Sequence, residues 1–191
     1  MALHLNVDEL NVVHWWVGGS YGTHPELKDH TGATILIWKG CFTSMSKKQK
    51  INTPSSAISE LVGVNESSPQ VLWTKYFLRN QGLHINEATL YQDNKSNMLL
   101  EENEHASNSS RTKHINIHYF FIKDQIDRGN VVVEHLPTYN MVADYFSKSP
   151  QGRNFKEFIS RIMGLPPDPV CKSAATIKPS SKPTLPPQFK F

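Results

Sequence analysis

Three β-patterned runs follow one another before any helical pattern begins, and that order leaves few architectures open to this chain. Residues 12–20, VVHWWVGGS, are rich in β-branched and aromatic side chains and are expected to form a strand, weakened at its end by Gly18 and Gly19. Residues 33–38 and 41–46 continue an antiparallel meander across Lys39-Gly40. Thr53-Pro54 has the form of a helix start, with Thr as N-cap and Pro at the first helical position. A second helix is expected over 69–80, with Leu72 and Tyr76 on one face and Gly82 as its stop. Residues 88–92 read as a short strand ending at Asp93, with Asn94-Lys95-Ser96 opening a short helix.

Further along, Ile115, Tyr119, Ile122 and Ile126 make the stripe of a helix over 112–127 that packs on a sheet. Residues 130–136 form the last expected strand. Asn140 is expected to cap the helix carrying Asp144, a setting suited to negative charge. A closing helix shows Phe155, Phe158, Ile159 and Ile162 on one face and ends at Gly164. The implied class is α/β: a mixed sheet, an antiparallel three-strand meander plus parallel strands, flanked by helices.

Charge narrows the classes of partner. Of 20 basic and 17 acidic residues, Lys172, Lys178, Lys182, Lys190 and Asp168 lie after residue 164, which leaves 16 of each sign before it. A uniformly basic binder of nucleic acid is therefore excluded, and contact with a polyanion must come from a local patch. Lys39, Lys47, Lys48 and Lys50, uninterrupted by acids, form the best such patch. The division expected is an extension over 1–11, a domain over 12–164 and a Pro/Lys/Ser-rich disordered tail over 165–191, where KPTLPPQF also has the spacing of a polyproline ligand. Cys41 and Cys171 are far apart and fit no metal-ligand spacing, and MALHLNVDEL lacks the pattern of a secretory signal. A soluble intracellular protein, cytoplasmic or nuclear, is expected.

Three carboxylates stand out by their settings: Glu60 in SSAISELVGV, Asp93 in LYQDNKS and Asp144 in YNMVADYFSKSPQG. Ser56, Ala57, Gly63 and Val64 lie one helical turn from Glu60 and are small enough to let its helix approach the sheet. A polar residue at the carboxyl end of a strand, as at Asp93, is where open α/β sheets place chemistry. Taken singly, each has an ordinary alternative: a surface Glu, or an Asp in a turn or cap.

Taken in order, with HPELKDHTGA, SKKQKINT, SSRTKHINIHYFFIKD and VEHLPTYNMVADYFSK, these segments resemble the ribonuclease H domain at the end of a copia-type retrotransposon polyprotein. The resemblance spans about residues 12–164. It implies a ribonuclease H-like fold whose site is built from Asp, Glu, Asp and Asp in that order, with Glu60, Asp93 and Asp144 as the last three and Gly18 at the place of the first. Departures include Pro54 where a basic residue is usual, Ile58 and Ser59 just before Glu60, and His118 for an Arg. The order also separates related chemistries. Transposases with this fold place their Glu last, and proofreading exonucleases carry Asp-x-Glu on the first strand, which VVHWWVGGS lacks. No Asp-Asp pair of a polymerase centre is present either.

The resemblance implies two-metal hydrolysis of the RNA strand of an RNA:DNA hybrid, with Mg²⁺ or Mn²⁺ held by Glu60, Asp93 and Asp144. Without a carboxylate at Gly18, occupancy and cleavage are expected to be weak or lost. The implied nucleic-acid contacts are Lys47, Lys48, Lys50, Arg111 and Lys113, and the implied partners are a hybrid and the polymerase part of the same polyprotein, with no membrane. The alternative is a non-catalytic nucleic-acid-binding module or a decayed structural remnant. His114 and His118 have zinc spacing on one helix, but Ile115 stands where a metalloprotease needs Glu, so helix packing or a phosphate contact is the preferred reading.

Overall fold

The computed structural model describes Leu3 and residues 12–37, 39–94 and 113–166, with backbone only for 113–119. Strands β1 (Val12–Ser20), β2 (His30–Leu36) and β3 (Cys41–Lys48) pair antiparallel, while β4 (Glu87–Gln92) and β5 (Val131–His135) add parallel to β1 in the sheet order β3-β2-β1-β4-β5. The expected meander and strands stand where the patterns put them, and β2 starts three residues before residue 33. The fold class is the expected mixed sheet with helices.

β1 is central and buried on both faces, which explains its nearly unbroken apolar run. Val13, Trp15 and Val17 pack toward α1 (Ser56–Asn80) and α2 (Lys113–Asp127), among Leu61, Val64, Val71 and Ile122. Trp16 packs on the other face with Tyr91, Leu136, Met141, Val142, Ala143 and Phe158. That second layer holds α3 (Asp144–Ser147) and α4 (Gly152–Ile162). The sheet thus separates two helical layers, and the carboxyl end of β1 emerges between them.

The helices differ from expectation in instructive ways. Ser55, not Thr53, caps α1: its hydroxyl accepts from the Ile58 N–H at 3.4 Å, while the Thr53 hydroxyl donates to the buried Asp29 carboxylate. The two helices expected over 53–80 are one, continuous through Pro69. Proline removes the N–H that would reach the Asn65 carbonyl, and the Ser68 hydroxyl donates to that carbonyl instead, at 3.0 Å. Tyr76 is largely exposed, and Val71, Thr74 and Lys75 are the buried positions on this stretch. Lys75 donates to Asn130 O and Oδ1 at 3.0 and 3.1 Å, tying α1 to the approach to β5, and burial pushes its pKa down.

Asn140 does not cap α3. It is buried in a 3-10 turn over Thr138–Asn140, where its side-chain oxygen accepts from Arg161 of α4 at 2.9 Å, and Ala143 precedes α3 without a side-chain cap. Phe158 of the α4 stripe is buried and Ile162 packs against the same cluster, whereas Phe155 is exposed. Ile122 is fully buried on α2 and Ile126 partly so. The helix start expected at 94–96 and residues 1–11 lie outside the described residues, apart from Asn94 and Leu3, as does the tail beyond residue 166. Cys41 is a buried free thiol whose pKa burial raises. Among the described residues no helix is long and apolar enough to cross a membrane.

Candidate functional site

Two glycines, Gly18 and Gly19, precede the last residue of β1, and the helical layers meet the strand at them. A Cβ built on Gly18 would lie 3.0 Å from Asp144 Oδ1, 3.4 Å from Ser147 Oγ and 3.6 Å from the Ala143 Cβ. Built on Gly19, it would lie 3.1 Å from Ser59 Oγ and 3.3 Å from Glu60 Cγ and backbone N. Successive strand residues face opposite sides, so Gly18 looks toward α3 and Gly19 toward the first turns of α1. Asp144 and Glu60 therefore approach the same strand end from opposite faces.

Asp93 completes the surroundings. β1 and β4 pair in parallel as far as Trp16 with Tyr91, and continuing that register places Asp93 beside Gly18. The Thr138 hydroxyl donates to Asp93 Oδ2 at 2.9 Å. Asp144 is 8% exposed. Burial pushes its pKa up, the hydrogen bond and charge of Lys148 pull it back down, and Asp93 pushes it up again. Asp93 thus lies close enough to add a like charge to the surroundings of Asp144. Lys148 Nζ lies 2.8 Å from Asp144 Oδ1, the same oxygen that faces Gly18.

Sequence reasoning misses Thr138, Ser147 and Lys148. Ser147 Oγ is buried without a hydrogen-bond partner, beside the space a residue 18 side chain would occupy. An orphaned hydroxyl is costly, and a carboxylate at position 18 would supply its acceptor. Only the packing of α3 over β1 reveals this. The hydroxyls of Thr138 and Ser147 carry no signal in the sequence.

The donor set present does not fit a pair of divalent cations. Position 18 carries no side chain, Asp144 Oδ1 is taken by an ammonium, and Asp93 Oδ2 accepts from a hydroxyl. Among the described residues no three of His, Cys, Asp and Glu are grouped closely enough to hold a metal ion.

The basic patch lies across the sheet. Ser46 of β3 pairs with Gly32 of β2, which pairs with Gly18, so Lys47 and Lys48 sit two strands, or about 10 Å, from the candidate site. Lys47 pairs with Glu66 at 3.2 Å and Lys48 with Glu26 at 3.1 Å, while the carbonyl of Lys50 accepts from Lys28. The contacts expected of Arg111 and Lys113, and the pair His114 and His118, lie outside the described side chains. A polar chain also links the sheet to α3. His24 Nε2 and His30 Nδ1 lie 3.0 Å apart, His30 Nε2 and Ser46 Oγ lie 2.9 Å apart, and Ser46 donates to the Phe146 carbonyl at 2.8 Å.

Comparison with known proteins gives a consistent picture. No protein-family model matches the chain. It is 30% identical over 138 residues to the retrovirus-related Pol polyprotein from transposon TNT 1-94 of Nicotiana tabacum, covering 72% of this chain and 10% of that polyprotein. It is 33% identical over 118 residues to the corresponding polyprotein from transposon RE1 of Arabidopsis thaliana, covering 61% of this chain and 8% of that one. The chain thus spans about a tenth of the length of these relatives. In fold it is similar to LC11-RNase H1 isolated from compost, with a TM-score of 0.54 at 16% identity over 71% of this chain and 92% of that one. The same enzyme solved in complex with an RNA/DNA hybrid gives 0.52 at 14% identity, covering 70% of this chain and 92% of that one.

Proposed function

From a chain homologous to a segment of copia-type retrotransposon Pol polyproteins and carrying the ribonuclease H fold, we propose a domain directed at RNA:DNA hybrids that binds them and cleaves them weakly or not at all. One observation carries the reading: the side chain absent at Gly18 would point at Asp144 Oδ1 and at an unpartnered Ser147 hydroxyl. A strand glycine that directly abuts a carboxylate oxygen and a buried hydroxyl without a partner is the surrounding expected where an Asp has been lost. The hybrid bound in the structure of the similarly folded LC11-RNase H1 supports the choice of ligand.

Glu60, Asp93 and Asp144 are the residues that would hold Mg²⁺ or Mn²⁺ once a carboxylate stands at position 18. In the chain as it is, recognition rests on backbone contacts, for which Lys47, Lys48 and Lys50 are proposed, and on the shape of the hybrid rather than its bases. The rest of the polyprotein, including its polymerase part, is the proposed covalent neighbour.

Fluorescence anisotropy with an RNA:DNA hybrid, a DNA duplex and an unrelated hybrid sequence tests this reading. Affinity should favour both hybrids over the DNA duplex, differ little between the two sequences and fall steeply with salt. Equal, weak binding to all three would make the domain a structural remnant.

A further inference from the structure

Over the last turns of α1 the usual division of a helix into a polar outer side and an apolar inner side is partly reversed. Thr74 and Lys75 are buried there beside Val71, whereas Trp73, Tyr76 and Phe77 are exposed by 54, 44 and 44%. Trp73 and Phe77 stand one turn apart with their rings stacked, the centroids 5.1 Å apart and the planes 9° from parallel. The Tyr76 hydroxyl accepts from the Asn130 side-chain N–H at 3.3 Å. The three rings are thus held in place before anything covers them. A surface ordered in advance loses little side-chain entropy on contact, and exposed apolar patches of this kind mark interaction sites.

We infer that this aromatic stripe is the docking surface for the Pro-rich segment of the same chain, residues 183–189, PTLPPQF. Such segments suit aromatic surfaces because each proline ring offers an apolar face and the extended helix they favour is largely formed before contact. The inference goes beyond the proposed hybrid binding and does not depend on it.

The course of the chain allows the contact. Met163, just past α4, bridges Gly40 immediately ahead of β3. Gln70, one turn before Trp73, lines a shallow apolar hollow with Thr43 and Met45 of β3, and α1 runs from there toward the start of β4. The end of α4 and the aromatic stripe therefore flank the same end of the edge strand β3 from opposite faces of the sheet. Two packed layers of about 10 Å put them on the order of 20 Å apart. The 16 residues over 167–182 lead from Pro166 to Pro183. A relaxed flexible chain of that length spans about 22 Å, and proline lengthens it. A linker whose relaxed length matches the span gives the highest effective concentration, so an individually weak contact is enough.

The test is paramagnetic relaxation in the whole chain, with a nitroxide on Lys190→Cys in a Cys171→Ser background, Cys41 being buried. Amide signals of residues 73–80 should be broadened beyond those elsewhere on the domain, and equally at about 0.05 M and about 0.5 M salt, because the contact is apolar. Pro183→Ser, Pro186→Ser and Pro187→Ser together should abolish that local broadening. Trp73→Ser combined with Phe77→Ser should abolish it too, and both changes fall on exposed positions that leave the core intact. Even, weak broadening over the whole surface would overturn the inference, as would local broadening that survives loss of the prolines or vanishes at high salt. Mixing nitroxide-bearing chains with isotopically enriched, label-free chains should broaden nothing. Local broadening in that mixture would overturn the inference in favour of contact between two copies.

Discussion

A Cβ on Gly32 would stand 2.6 Å from the carbonyl oxygen of Ala143, closer than side chains approach backbone. Gly32 lies opposite Gly18 in the β1–β2 ladder, and α3 rests directly on the pair. Glycine is needed here for close approach, and Asp144 owes its place at the strand end to it.

Gly32→Ala should accordingly cost about 1–3 kcal/mol and lift α3 from the sheet. Chemical denaturation measures the first effect. Loss of the Ser46 to Phe146 hydrogen bond, read as faster amide exchange around α3, measures the second. By contrast, a Cβ on Gly63 would meet Thr31 Cγ2 and Val17 Cγ1 at 3.1 Å, side-chain atoms that can yield, so Gly63→Ala should cost less.

The unbroken α1 gives a double-mutant cycle. In the parent, Ser68→Ala leaves the Asn65 carbonyl without its donor and should cost about 1 kcal/mol. In a Pro69→Ala background the restored backbone N–H takes that carbonyl, so the same change should cost almost nothing. Equal losses in both backgrounds would mean that Ser68 does not compensate for Pro69.

His30 makes stability depend on pH. Burial lowers its pKa below the ordinary 6.5, and the charge of His24 lowers it further. The folded state therefore resists a proton that the unfolded chain accepts, so stability is full above about pH 6.5 and is lost as pH falls through the folded value. Urea midpoints of the parent should drop between about pH 7 and about pH 5 more than those of His30→Gln. A parallel fall in both proteins would remove His30 as the cause.

How much of this was readable beforehand depends on the range of the interaction. β1 is legible because VVHWWVGGS needs burial on both faces, and α2 because its apolar spacing holds over several turns. The continuity of α1 is hidden because Pro69 is an ordinary helix breaker and its remedy is one hydroxyl of Ser68. Asn140 has the form of a cap, but Arg161, 21 residues away, claims its side chain. Glu60, Asp93 and Asp144 stand out in the sequence as an ordered set, whereas the placing of Asp144 against Gly18 and of Glu60 against Gly19, on opposite faces of the strand, is a property of packing. Lys148 lies four residues from Asp144, a spacing so common that only the burial of its partner singles it out.

The basic patch predicts a salt dependence. The pairs of Lys47 with Glu66 and Lys48 with Glu26 are exposed on the lysine side and cost little to exchange for phosphate. Replacing Lys47, Lys48 and Lys50 by Ala should lower the slope of log affinity against log salt by about 2–3 for hybrid binding. An unchanged slope would place the backbone contacts elsewhere.

The central claim is that one missing carboxylate at Gly18 separates this domain from ribonuclease H activity, and hybrid cleavage in Mg²⁺ and in Mn²⁺ tests it most directly. The proteins to compare are the parent, Gly18→Asp, and Gly18→Asp combined with Asp93→Asn. Asp144 Oδ1, 3.0 Å from the new Cβ, must give by a few tenths of an ångström, which the end of a side chain can do. Gly18→Asp should cleave on the order of a thousandfold faster than the parent, equivalent to about 4 kcal/mol of barrier, and Asp93→Asn should abolish the gain. A parent that already cleaves at a comparable, Asp93-dependent rate, or a folded Gly18→Asp protein that stays inert, would contradict the account.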